Sequence, residues 1–140
     1  MRVVLDTNVL VAALRSKTGA AAELLRAAHD GRVVAIANVA LFAEYEAVLT
    51  RAEHLAAGGV TRSDVHDALD ALAAGIESAE PHFSWRPQLA DADDEMVLEA
   101  AVNGGADMIV TFEVATFRDA AARFGIDVMT PGAFWAKVFL

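Results

Sequence analysis

The chain has 140 residues, 56% of them hydrophobic and only three of them proline, which suits one compact domain spanning 1–140 and excludes a disordered or fibrous protein. Eleven Lys plus Arg against twenty Asp plus Glu leave a net charge of −9, which weighs against a passive nucleic-acid binder but not against a nuclease whose site needs clustered carboxylates. With no cysteine there are no disulfides or thiolate metal sites, no run is long enough to span a membrane, and the N-terminal stretch lacks signal-peptide features, so a cytoplasmic location is expected.

Val3, Val4 and Leu5 form a short unbroken apolar run, the pattern of a strand buried on both faces. Asp6 closes it, and Thr7 and Asn8 are suited to cap a helix over Val9 to Leu14. Asp6 thus stands at the carboxyl end of a strand, the edge where open α/β sheets bind ligands. A carboxylate there costs desolvation energy unless a cation or several donors meet it. A tight turn in which Asp6 only accepts backbone N–H bonds is the competing reading.

Thr18 and Gly19 precede a helix from Ala20 to His29, ended by Gly31. A second strand runs from Val33 to Ile36, and Asn38 caps a helix from Val39 to about Thr50 with Leu41, Phe42, Tyr45, Val48 and Leu49 as its apolar stripe. Glu44 and Glu46 fall on opposite borders of that stripe, and periodicity does not choose between them. After a Gly58-Gly59 loop, Thr61 or Ser63 begins a helix to about Ala74 with Val65, Leu69 and Leu72 inward, and its Asp64, Asp67 and Asp70 form a solvated face. Ile76 to Ala79 is expected as a short edge strand, and Pro81 to Pro87 as irregular.

Between Leu89 and Ala101 lie five acids and no base. Asp91 or Asp93 can cap a helix there. Asp94 shares a face with Val97, Leu98 and Ala101, while Glu95 and Glu99 are expected on the opposite, polar side. Asp94 then becomes the second half of a cation site begun by Asp6. Asp107 to Val110 is the next strand, followed by Thr111, Phe112 and Glu113, so Glu113 repeats the strand-end position of Asp6. A helix from Val114 to Phe124, a strand from Ile126 to Met129 and a helix opened by Pro131 complete the chain. The last helix, with Phe134, Trp135 and Val138, is read as core or as the contact of a homodimer. His29, His54, His66 and His82 are expected at the surface.

Alternating strands and helices imply a three-layer αβα sandwich with a mostly parallel sheet. Glycine-rich nucleotide loops are absent. A haloacid-dehalogenase-type phosphotransfer domain would want a second Asp at Asn8, and a receiver would want a Lys near Met129 and Thr130. A non-catalytic interaction module keeps the fold and binds only a protein.

The motifs Val-Val-Leu-Asp6-Thr-Asn-Val-Leu, Glu44-Tyr-Glu-Ala-Val-Leu-Thr-Arg51, the stretch from Trp85 to Glu99 that contains Asp94, and Ala106-Asp-Met-Ile-Val-Thr-Phe112 resemble the PIN-domain family, in particular the VapC-like ribonuclease toxins of bacterial toxin–antitoxin pairs. The resemblance covers nearly the whole chain. It implies a PIN-like fold, a metal-dependent endoribonuclease, Mg²⁺ or Mn²⁺ held by Asp6, Glu44 and Asp94, an RNA substrate cut to a 5′-phosphate and a 3′-hydroxyl, and an antitoxin partner. It also chooses Glu44 over Glu46. At the fourth position Glu113 stands where the family usually has Asp or Asn, Thr116 replaces a further acid, and Asn38 stands where a small hydroxyl residue is common. Arg15, Lys17 and Arg86 are the nearest candidates for phosphate contacts.

Overall fold

The structure, a computed structural model, describes residues 1–81 and 88–140. The expectations for His82, Trp85 and Arg86, and for an irregular path through them, lie outside the described residues. In chain order the elements are β1 (Arg2–Leu5), α1 (Thr7–Arg15), α2 (Ala20–His29), β2 (Val34–Ala37), α3 (Val39–Leu49), α4 (Ala52–Gly58), α5 (Arg62–Gly75), β3 (Glu77–Ser78), α6 (Ala92–Asn103), β4 (Met108–Val110), α7 (Val114–Ala122), β5 (Asp127–Met129) and α8 (Pro131–Phe139). All strand pairs are parallel, in the order β3-β2-β1-β4-β5, so β1 is central. Parallel strands flanked by helices are buried on both faces, which is why Val3, Val4, Ile36, Ile109 and Val110 are all at most 1% exposed.

From β1 the chain first moves outward through β2 to β3, then returns to the other side of β1 for β4 and β5. Right-handed crossovers consequently put the helices of the two halves on opposite faces, giving the αβα sandwich. The order reverses between β1 and β4. The connections that leave their carboxyl ends therefore turn to opposite faces of the sheet and leave a crevice between them.

At the opposite edge Arg2 ties the sheet together. Its guanidinium makes a two-pronged pair with Glu77 of the edge strand, at 2.8 and 2.9 Å, and also donates to the carbonyls of Gly104 and Gly105 before β4. Such forked pairing is directional, so the starts of β1, β3 and β4 hold one register.

The differences from expectation have local causes. β2 lies one residue later than expected because the Val33 amide is spent on the Ala27 carbonyl in the turn after α2, where Gly31 takes φ +76°. α1 starts two residues early because Asp6, rather than Thr7 or Asn8, is its N-cap. α4 was not anticipated; at seven residues it is too short for periodicity to reveal, and only the left-handed Gly59 after it marks its end. His54 on α4 is a correction as well, since its side chain is only 14% exposed and its Nδ1 accepts from Arg15 at 3.0 Å. Phe134 of α8 is fully buried, while Trp135 and Phe139 pack on each other and against the Arg32 guanidinium.

The largest departure concerns Glu95, expected on a polar face and found 3% exposed. Its Oε1 accepts the backbone N–H of Gln88 at 2.5 Å and of Leu89 at 2.7 Å. Residues 88–89 fold back over the first turn of α6, and helical phase carries no information about a loop that covers the helix from outside. Because Glu95 fixes how α6 begins, it also fixes its neighbour Asp94. Replacing Glu95 by Ala should destabilise the fold by about 2 kcal/mol, since two part-buried donors lose their acceptor, whereas Glu95→Gln, which keeps an acceptor oxygen, should cost about half as much or less. Urea unfolding of the two variants checks the order.

Candidate active site

Asp6 ends β1 and is 7% exposed. Its amide extends the ladder to β4 by donating to the Val110 carbonyl at 3.0 Å. Its Oδ1 accepts the Thr7 N–H at 2.8 Å, the N-cap bond of α1, and its Oδ2 accepts from the Thr111 hydroxyl, also at 2.8 Å. Thr111 directly follows β4 and is fully buried. With its hydroxyl proton committed to Asp6, its oxygen receives the Asn8 side-chain amide at 3.4 Å and the Glu113 backbone N–H at 3.0 Å. The turn-type role of Asp6 is real, but it leaves the charge uncompensated. Burial pushes the Asp6 carboxyl above its ordinary range, the bonds from Thr111 and Thr7 oppose that, and Glu113 and Glu44 add to it.

Glu44 comes from α3, on the helix layer of the first half of the sheet. It is half-buried and its Oε2 accepts from the Thr7 hydroxyl at 2.6 Å, which links it to the start of α1. Glu46 is exposed and faces His66 at 3.6 Å. Glu44 is therefore the glutamate at the sheet edge. Between them Tyr45 is buried, its hydroxyl donating to the Leu5 carbonyl, and burial with Asp6 and Glu44 nearby pushes its phenol well above the ordinary value.

Asp94 comes from the opposite layer, in the first turn of α6, after Asp91 has capped the helix by accepting the Asp93 N–H at 2.9 Å. The Asp94 carboxyl is pushed up to about 6, first by burial and then by Asp6, Asp91, Glu113 and Glu44. Glu113 occupies the N-cap position of α7 without capping it through its side chain and is exposed. All four nominated acids, Asp6, Glu44, Asp94 and Glu113, thus gather at one edge, from both helix layers and from the two strands that flank the crevice.

Arg15 and Lys17 do not join them. Arg15 is at the far end of α1, about 13 Å along the helix from Asp6. It is engaged with His54, and Lys17 lines an apolar groove of about 390 Å³ between α1, α2 and α5. Among the described residues no Lys or Arg forms a salt bridge with any of the four acids.

Thr111 escaped the sequence reading as a site residue. The available signal was its position: a hydroxyl residue directly after a buried strand, level with the acid that ends the neighbouring strand. Its bond to Asp6 joins the side chains on the two sides of the crevice.

Oxygen donors from acids that repel one another, on a desolvated floor, suit a hard divalent cation. Among the described residues no three of these side chains stand close enough in this arrangement to enclose an ion. Asp6 is held by two hydrogen bonds and Glu44 by one, from the Thr7 hydroxyl, while Glu113 is exposed.

An acid-lined crevice at the switch point of a parallel sheet defines a class: α/β proteins with carboxylates gathered at the ligand-binding edge. The particular family follows from comparison. The family model described as PIN domain matches residues 2–115, and the chain belongs to that family. The crystal structure of VapBC2 from Rickettsia felis bound to a DNA fragment from their promoter contains a chain of similar fold, with a TM-score of 0.59 and 12% identity over 91% of this chain and 97% of that one. No curated protein sequence matches the chain.

Without divalent cations Asp94 keeps its proton in the folded protein up to about pH 6, whereas an unperturbed Asp releases it near 3.8. Between those values the folded state binds more protons than the unfolded one, so this group's contribution to stability falls as pH rises and is lost above about 6. Asp94→Asn should accordingly raise Tm in EDTA at pH 8, with the gain shrinking towards pH 4. A Tm difference independent of pH would contradict the crowding of charge around Asp94.

Proposed function

We propose that this chain is a metal-dependent endoribonuclease acting as one unit over residues 1–140, with Asp6, Glu44, Asp94 and Glu113 as the metal-holding acids. The observation that carries the reading is the gathering of four acids, with no basic partner among the described residues, at the switch-point edge of a PIN-domain fold. Bound there, Mg²⁺ or Mn²⁺ would polarise a scissile phosphate and lower the pKa of an attacking water. The protein's own contribution is positional. Thr111 and the Thr7 N–H orient the Asp6 carboxylate, the Thr7 hydroxyl orients Glu44, and Glu95 anchors the turn that carries Asp94.

Asp6→Asn retains the N-cap, because an Asn side-chain oxygen also accepts the Thr7 N–H, so the fold should survive. Cleavage of single-stranded and structured RNA in Mg²⁺ or Mn²⁺ should fall by more than about a hundredfold in Asp6→Asn and in Asp94→Asn, since even the hydrogen-bond partners of metal ligands typically cost 10–100-fold when removed. Tm of the wild type should rise on millimolar Mg²⁺ or Mn²⁺, because a cation that binds only the folded state stabilises it by mass action. Equal cleavage by wild type and both variants would assign the activity to another site or to a contaminant. Retained fold with neither cleavage nor a metal-dependent Tm would favour the non-catalytic module.

The likeness to a VapBC2 complex, together with the acidic crevice, supports a second element of the proposal: the chain is the toxin of a toxin–antitoxin pair, a cytoplasmic protein and a homodimer. Among the described residues no helix is long and apolar enough to cross a membrane. Complementary charge favours an antitoxin that inserts an Arg or Lys among the acids. Mg²⁺ should then weaken antitoxin binding in a titration, and expression of the chain alone should slow growth, with relief by the neighbouring small open reading frame. Unaffected growth alongside RNA cleavage in vitro would leave the nuclease reading standing and remove the toxin.

A further inference from the structure

Four large apolar side chains are exposed among the described residues: Met1, Val39, Phe112 and Leu140. Met1 and Leu140 are terminal. The other two both sit at the carboxyl edge of the sheet, on either side of Asp6. Val39, 89% exposed, opens α3 two residues after β2, and Phe112, 51% exposed, stands two residues after β4. Since β2, β1 and β4 are adjacent, Val39, Asp6 and Phe112 follow the ends of three neighbouring strands, a span of about 10 Å.

Phe112 is presented rather than merely left over. Its neighbour Thr111 turns inward to Asp6, and in extended chain the next side chain turns the other way. The Phe112 amide donates to the Asn8 side-chain oxygen at 3.4 Å, and the next amide, of Glu113, donates to Thr111. The backbone that carries the ring is therefore tied to the same residues that orient the acid.

Beside the ring lies a cleft of about 500 Å³, with Ala12, Ser16, Gly19, Thr130 and Pro131 among its walls. None of its lining residues carries a charge. Small side chains make it a slot, Phe112 and Pro131 give it flat apolar faces, and no cation is there to hold a phosphate. A flat ring with polar edges suits it.

We infer that Phe112 and this slot receive an unpaired nucleobase of the RNA whose backbone is cut at the acids. The inference rests on the ribonuclease reading and adds to it the residue that would hold a base and the place where the base would lie. A base inside a duplex is already stacked and paired, and must leave that stack to lie on a protein ring. Stacking on an aromatic ring tolerates any base, so the contact selects strandedness more than sequence. Phe112 is a positioning residue that binds the ground state and the transition state alike, and its loss should appear in KM rather than in kcat.

The test uses the full chain with Mn²⁺ and a short single-stranded RNA, alone and annealed to its complement. Phe112→Ala should raise KM on the single strand by on the order of tenfold, with kcat within about threefold and Tm unchanged, and Phe112→Trp should restore the wild-type KM. The duplex should be cut poorly by all three proteins. In EDTA, an oligonucleotide carrying 2-aminopurine should lose fluorescence on binding to wild type and to Phe112→Trp, and not to Phe112→Ala. If wild type cleaves RNA while Phe112→Ala keeps KM within twofold and quenches 2-aminopurine equally, the nucleobase contact is overturned, the ribonuclease reading stands, and the ring belongs to a protein contact. Absence of both cleavage and quenching in the wild type would remove both.

Discussion

The hydrogen bond from the Thr111 hydroxyl to Asp6 is the interaction on which the rest of the site depends. It crosses from the end of β4 to the end of β1, over the point where the sheet's connectivity reverses, and both partners are almost entirely removed from solvent. A buried carboxylate with no donor would take up a proton and lose its use as a ligand. Thr111 and the capping N–H of Thr7 together satisfy enough of Asp6 to keep it in place without neutralising it. The remaining charge is felt at Tyr45 and Asp94, on opposite faces of the sheet. The crowding of these charges is therefore unfavourable to the folded state once they are ionised, and the rest of the core has to offset it.

How much of this is legible in the sequence depends on which physical signal each residue leaves. A carboxylate directly after a buried apolar run announces a strand end, as Asp6 does, and Glu113, three residues after Val110, stands at the same edge. Asp94 is found by its phase within a helix. Glu44 and Glu46 border one stripe symmetrically, and only family resemblance, and then the sheet edge itself, separates them. Glu95 defeats phase altogether because its partners, the amides of Gln88 and Leu89, belong to a loop laid over the helix. Thr111 looks like an ordinary β-branched strand residue until the neighbouring strand is known. In each failure the missing information is tertiary: which element lies across from the residue.

The same rule explains the basic residues. Arg15 and Lys17 are close to Asp6 in sequence, but a helix carries them away from the sheet edge, and one of them is spent on His54. The acidic balance of the chain is thus not offset locally by cations next to the site. Under the proposed function, recognition of a polyanion would then come from a bound metal, from residues beyond these, or from uncharged contacts such as the ring of Phe112.

The central position of β1 also dictates when the site can exist. Asp6 and Thr111 are separated by 105 positions in the chain. A ribosome therefore releases the first acid long before the strand that must lie beside it, and the intervening loop has to close at a cost in chain entropy before the acids meet. During synthesis the chain is a collection of helices and unpaired strand edges without the assembled crevice. Whatever chemistry the four acids support is withheld until most of the protein has been made, a delay imposed by topology alone.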